Sequence, residues 1–205
     1  GSRAPLLVFT GGDPMRRPDL KDLVRYAADA GRFVALTPSG TAATSWPITR
    51  LFTPSTCMTW KPEDPQGNES AKIRWELVEY TTGQGLDLGC GAWKAFPHFI
   101  GVDNYTDTKL FGVEMKPDVV SDVTKLSVFG SATMDFVYSS HCLEHVENWQ
   151  GALKEWWRVI KPGGYLILYL PDEDEYPKVG EPHANEDHKL NVSIPLIVDA
   201  MKDIG

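Results

Sequence analysis

The sequence predicts an α/β fold with a doubly wound, mostly parallel sheet, on three observations. From residue 84 onward, short apolar runs alternate with helical patterns, the order that builds parallel sheets covered by helices. The run QGLDLGCG puts a glycine turn at the end of an apolar strand. Acids or small polar residues then close one run after another: Asp87, Asp103, Asp122 and Ser139. Ligands of open parallel sheets bind beyond the carboxyl ends of the strands, so the last two observations also mark a site.

Each element has its own signal. LLVFT (6–10) is a short apolar strand, and GGDP after it is a turn. PDLKDLVRYAADAG reads as a helix, with Asp19 as cap, Leu20, Leu23, Val24, Ala27 and Ala28 on one stripe, and Gly31 as stop. RFVALTP (32–38) is a second strand. Residues 1–45 thus form a strand–helix–strand unit that cannot bury both helix and strand faces alone. Residues 46–72 are predicted to be a linker and extended arm, because residues 38–70 hold five prolines and little periodicity. Residues 73–205 make the main domain. IRWELVEY (73–80) reads as a helix with Ile73, Leu77 and Tyr80 on one side. QGLDLGCG, HFIGVDNY, PDVVSDVTKL and MDFVYSS are the first four strands of this domain. NWQGALKEWWRVIK is a helix with Trp149, Ala152, Leu153, Trp156 and Ile160 inward, stopped by Pro162-Gly163-Gly164. YLILYLP is a fifth strand, too apolar to be half exposed, and SIPLIVDAMKDIG is a last helix.

Composition narrows the function. The 205 residues carry a net charge of −8, and residues 172–187 (DEDEYPKVGEPHANED) alone hold −6. With no basic patch, duplex nucleic acid is not expected as a partner. No apolar run reaches membrane length, and the opening GSRAPLLVFTGGDP has too short an apolar core for a secretory signal. Three scattered cysteines, Cys57, Cys90 and Cys142, with no CxxC, argue against a disulfide framework and for a reducing, cytoplasmic compartment.

LDLGCG, GVDNY, SDVTKL, MDFVYSSHCLEHV and ALKEWWRVIKPGGYLILYLP, in that order over residues 84–171, resemble the class I S-adenosylmethionine-dependent methyltransferases. The resemblance implies a Rossmann-like sheet, S-adenosylmethionine as cofactor, and a small-molecule, sugar or polypeptide methyl acceptor. It implies that Gly89, Cys90 and Gly91 pass close to the methionine part of the cofactor, with Asp87 near its ammonium. Asp103, followed by Asn104, is placed to take the ribose hydroxyls, since a carboxylate offers two acceptor oxygens. Asp122 and the Val123 amide would read the adenine, and Ser139 would lie beneath the sulfonium. His141 is the general-base candidate. No metal ligand is implied. Two departures stand out. Trp93 occupies the place of the family's third glycine, and only eleven residues separate Gly91 from Asp103, so any helix between them must be very short. That leaves the cofactor's flank to be covered by another segment, such as the arm at 50–70. The family's last two strands are also missing, which leaves a bare sheet edge and makes a homodimer an expectation.

Two other readings compete. VFTGGDPMRRPDL and the residues after it, within 3–45, resemble a fragment of radical S-adenosylmethionine enzymes, with Gly11-Gly12-Asp13-Pro14 in place of a Gly-Gly-Glu-Pro segment and without the cluster cysteines. The chain is then a chimera whose N-terminal unit completes the open sheet edge, and which is an inactive scaffold if the substrate side is lost. Separately, His141-x-x-Glu144-His145 has the ligand spacing of an inverted zinc hydrolase. That reading needs a long helix and a third ligand, for which His183 and His188 are available.

Overall fold

The computed structural model describes residues 6–10, 33–36, 68–73, 77–78, 80–105, 108–174 and 176–204. Nine strands and three α-helices are assigned among them. The strands are β1 (Leu6–Thr10), β2 (Phe33–Leu36), β3 (Gly85–Leu88), β4 (Ile100–Asp103), β5 (Lys109–Leu110), β6 (Val113–Glu114), β7 (Val119–Val120), β8 (Met134–Ser140) and β9 (Ile160–Tyr169). The helices are α1 (Ser70–Ile73), α2 (Trp149–Val159) and α3 (Ile194–Lys202). Seven strands form one Rossmann-like sheet in the order β2-β1-β9-β8-β3-β4-β7, and every neighbouring pair in it is parallel. β5 and β6 form a separate antiparallel ribbon.

The chain winds outward from β3 through β4 to β7, then returns to lay β8 on the other side of β3. The reversal between β3 and β8 is the switch point at which doubly wound sheets open a crevice. Side chains alternate across the sheet as its pleat requires. Leu86, Leu88, Val137, Leu166 and Leu168 enter one core with α2 and α3. Phe136, Tyr138, Ile167 and Tyr169 enter the other with Ile73, Leu77 and Phe99. Burial on both faces explains why YLILYLP reads as an unbroken apolar run.

α2 begins where Asn148 accepts the Gly151 N–H at 3.2 Å, satisfying one of the free donors of the first turn. Ala152, Leu153, Trp156 and Val159 form its buried stripe. Ile160 opens β9 instead of closing the helix. The expected stop at Pro162-Gly163-Gly164 lies inside that strand. Met134 pairs with Ile160 and Phe136 with Tyr165, so residues between 160 and 165 bulge out of register. A bulge takes a proline that a regular central strand would refuse.

The sheet edge beyond β9 is not bare. β1 pairs with β9 from Leu6↔Tyr165 to Thr10↔Tyr169, and β2 pairs with β1. The N-terminal strands therefore cover the edge that the sequence left open, which removes the ground for expecting a homodimer across it. The helix expected between β1 and β2, and the linker at 46–67, lie outside the described residues. α1 occupies 70–73, ahead of the helix expected over 73–80, and Ile73 and Leu77 are buried as that reading required. Among the described residues no helix is long and apolar enough to cross a membrane.

Candidate functional site

β3 ends in the turn Gly89-Cys90-Gly91. Gly89 and Gly91 both have positive φ, +69° and +55°, where an L side chain costs roughly 1–2 kcal/mol. A Cβ on Gly89 would also run into the Cys142 thiol. The turn is fastened to β4 by hydrogen bonds from all three of its amides. The Gly89 N–H donates to the Val102 carbonyl at 2.8 Å, and the Gly91 N–H donates to Asp103 Oδ2 at 2.9 Å. Asp103 Oδ1 accepts the Tyr105 N–H at 3.0 Å. Both oxygens of this buried carboxylate are thus oriented by backbone, and each keeps a further lone pair for a ligand.

Asp87, 1% exposed, lies within β3 and accepts the Ala95 N–H at 2.7 Å. Loss of hydration pushes its carboxyl up to about 7, against the opposing pull of the Ala95 amide and the Lys94 ammonium. A cation brought beside it would restore the ionised form. Cys90 is buried, and its thiol is raised well above the ordinary value by burial and by Asp87 and Asp103, so it packs and does not attack. Ser139 is fully buried and donates to the Leu88 carbonyl at 3.0 Å, lacing β8 to β3 beneath the turn.

His141 stands across the crevice at the end of β8, with φ +47°. Its ring packs edge-on to Tyr169 with centroids 5.0 Å apart, its Nδ1 lies 3.3 Å from Glu144 Oε1, and its Nε2 lies 4.0 Å from Glu69 Oε2. A cleft of about 110 Å³ is lined by Asn68–Ser70, Gly89–Gly91, Trp93, Leu110 and Ser140–His141. Residues 50–67 of the arm expected to cover the flank lie outside the described residues, and Asn68–Ser70 at its end line the cleft. Ser70 Oγ accepts the Tyr138 hydroxyl at 3.1 Å, which holds that end against β8. Among the described residues the short connection from Gly91 to β4 contains no helix. Trp93 stacks on Phe111 there, with centroids 6.4 Å apart.

Sequence reasoning missed Lys94 and Asp118. Lys94 Nζ donates to the Pro97 and Phe99 carbonyls and, at 2.7 Å, to Asp118 Oδ2, which also takes the Gly101 N–H. Neither residue sits at the carboxyl end of a predicted strand, where site residues were sought.

Asp87, Gly89, Cys90, Gly91 and Asp103 therefore form one knot, with Ser139 below and His141 opposite. Asn104 is exposed beside it. Asp122 and Val123 lie one step along: the Ser121 N–H donates to the Asp103 carbonyl at 3.0 Å. Asp122 Oδ1 accepts both the amide and the hydroxyl of Thr124 at 2.8 Å, and these bonds lower its pKa. The Val123 carbonyl accepts the Trp156 indole N–H at 2.8 Å. The zinc-hydrolase reading loses its premise. His141 precedes a three-residue 3-10 turn, Leu143–His145, so the two histidines do not share a helical face.

Residues 86–168 match the family model described as "Methyltransferase domain". The segment is methyltransferase-like, in a match that spans less than half of the chain. Its fold is shared with a SAM-dependent methyltransferase from Archaeoglobus fulgidus, with 24% identity, a TM-score of 0.54 and 66% of each chain covered. A sterol 4-C-methyltransferase from Caenorhabditis elegans is 28% identical over 126 residues, which is 51% of this chain and 36% of that protein. An AdoMet-dependent heme synthase of Oleidesulfovibrio alaskensis is 52% identical over 40 residues, 20% of this chain and 10% of the synthase. The chain spans only about a tenth to a third of the length of these curated relatives. A likeness that short does not establish a chimera.

The methyltransferase domain's cofactor fits the residues present. The glycine turn offers a surface without side chains at positive φ, and the Asp103 carboxylate is held by two amides with acceptor capacity left over.

Proposed function

We propose that the chain is a methyltransferase acting on a small molecule, sugar or polypeptide. The observation that carries this is the Asp103 carboxylate, fixed by the Gly91 and Tyr105 amides beside the positive-φ glycine turn at the sheet's switch point. When bound, S-adenosylmethionine supplies a methyl group on a sulfonium, a good leaving group. Asp103 holds the ribose hydroxyls, and Asp87 faces the ammonium. Gly89–Gly91 admit the methionine chain, and Ser139 supports the turn from below. Asp122 and the Val123 amide meet the adenine, with Asn104 beside the ribose. His141 presents Nε2 to the cleft while Nδ1 rests against Glu144, an orientation suited to taking a proton from the acceptor.

Residues 1–45 are read as an accessory unit, 46–72 as an arm, and 73–205 as the methyltransferase domain, in a cytoplasmic protein with free thiols at Cys90 and Cys142. The rival is an inactive scaffold of the same fold, favoured by the N-terminal strands on its sheet.

Calorimetric titration with S-adenosylmethionine tests the assignment. Wild type and His141→Ala bind alike, and Asp103→Ala binds at least tenfold more weakly, since one charge-assisted hydrogen bond contributes about 1.5–3 kcal/mol. Equal affinity in Asp103→Ala refutes the site. Turnover of an acceptor by wild type but not by His141→Ala separates the enzyme from the scaffold.

A further inference from the structure

Glu144 is the least explained side chain of the molecule. It is fully buried. Neither Oε1 nor Oε2 has a hydrogen-bond partner among the described residues, and Oε1 has only the His141 imidazole near it, with Nδ1 at 3.3 Å. A carboxylate taken out of water needs compensation, because leaving it bare costs several kcal/mol or more. The methyltransferase reading gives this carboxylate no task beyond contact with His141.

The side chains around Glu144 supply a reason. One ligand atom each from Glu144, His145 and His188 lie within 4.8 Å of one another. The two imidazoles meet edge to face, with centroids 4.9 Å apart. His145 Nδ1 lies 3.3 Å from the Asp187 carbonyl. With Nδ1–H donated there, Nε2 carries the free lone pair, as metal-bound histidines are usually arranged. The Lys189 N–H donates to the Glu144 carbonyl at 2.7 Å, so backbone already ties the His188 segment to the turn. A tetrahedral centre with bonds of about 2.0–2.2 Å wants its donors about 3.3–3.5 Å apart, within the reach of small side-chain rotations.

We propose that Glu144, His145 and His188 bind a divalent transition metal of the zinc type beside the cleft. Two imidazoles and one carboxylate suit zinc and its neighbours, whereas magnesium prefers oxygen ligands. The ion would neutralise the buried carboxylate and pin the acidic segment 172–187 to the turn that follows His141. This is not the spacing motif of the sequence: His141 is outside the triad, and His188 replaces it.

The test uses the full chain, without an affinity tag and stripped by a chelator. Wild type takes up one Zn²⁺ per chain with a dissociation constant below about 1 μM. Cobalt in its place gives visible d–d bands. His188→Ala and Glu144→Gln weaken zinc binding by more than the roughly 10–100-fold of an outer-shell change, and His183→Ala leaves it unchanged. Circular dichroism checks that each variant is folded. If Glu144→Gln does not fold, His188→Ala decides, because its side chain is on a surface loop. Unchanged zinc affinity in folded His188→Ala, no zinc uptake by wild type, or uptake of magnesium alone overturns the proposal. Affinity for S-adenosylmethionine is measured in parallel, so a failed metal site is told apart from a failed cofactor site.

Discussion

Single residues decide the chemistry, and Asp87 shows how. Its folded carboxyl titrates near 7 against 3.8 for the free group, chiefly because burial removes its water. The stabilisation tied to its proton is complete below the unfolded pKa and is lost as pH rises through about 7. Denaturant unfolding between pH 5 and 8 should therefore show wild type losing stability relative to Asp87→Asn. Parallel curves would mean that Asp87 is already ionised. Bound cofactor brings an ammonium to the ionised form, so affinity should climb across the same interval in wild type and stay flat in the variant. At this scale the sequence was generous where residues close a strand. Asp87, Gly89, Gly91 and Asp103 could be named because strand ends in such sheets converge on one crevice. Asp122 was ambiguous for the same reason, since a turn and an adenine contact use the same carboxylate. The grouping of Glu144 and His145 with His188 was illegible, because it depends on a segment more than forty residues away.

Among the elements, α2 joins the core to the loop after β7. Trp156 is fully buried at the centre of its stripe and sends its indole N–H 2.8 Å to the Val123 carbonyl. Trp156→Phe keeps most of the apolar surface but orphans that acceptor and leaves space beside it. A loss of about 1–3 kcal/mol is expected in urea unfolding. A change below about 0.5 kcal/mol, the size of an ordinary surface substitution, would show that water replaces the indole freely. The long periodic elements were readable: α2, β3, β8 and β9 all occur where their apolar patterns put them. The short strands β1, β2 and β4 also lie within predicted runs, but two punctuated elements do not keep their predicted form. The third strand of the main domain shrinks to Val119–Val120, and Pro162-Gly163-Gly164 is a bulge, because pairing with β8 overrides the local stop signal. The ribbon of β5 and β6 had no reading, since two-residue strands leave no period to detect.

For the whole molecule, the sheet depends on its N-terminal unit. β9 offers Tyr165–Tyr169 to β1, and without that partner five residues of apolar edge would be uncovered. A chain that starts at residue 46 should melt earlier and self-associate, as read by thermal unfolding and size-exclusion chromatography. A monomer with an unchanged melting point would show that the strands are dispensable. An open edge beyond β9 and a strand–helix–strand unit at residues 1–45 were both expected from the sequence. Their meeting was inferred from that match alone, as no local pattern specifies which distant edge a strand joins. The same pairing has a consequence during synthesis. Leu6 must wait for Tyr165, about 160 positions later, which at roughly 5–20 residues per second is about 8–30 s on the ribosome. β1 thus stays unsheltered long after it is made, and a nascent chain of this protein should be a client for the holding factors that meet emerging polypeptides.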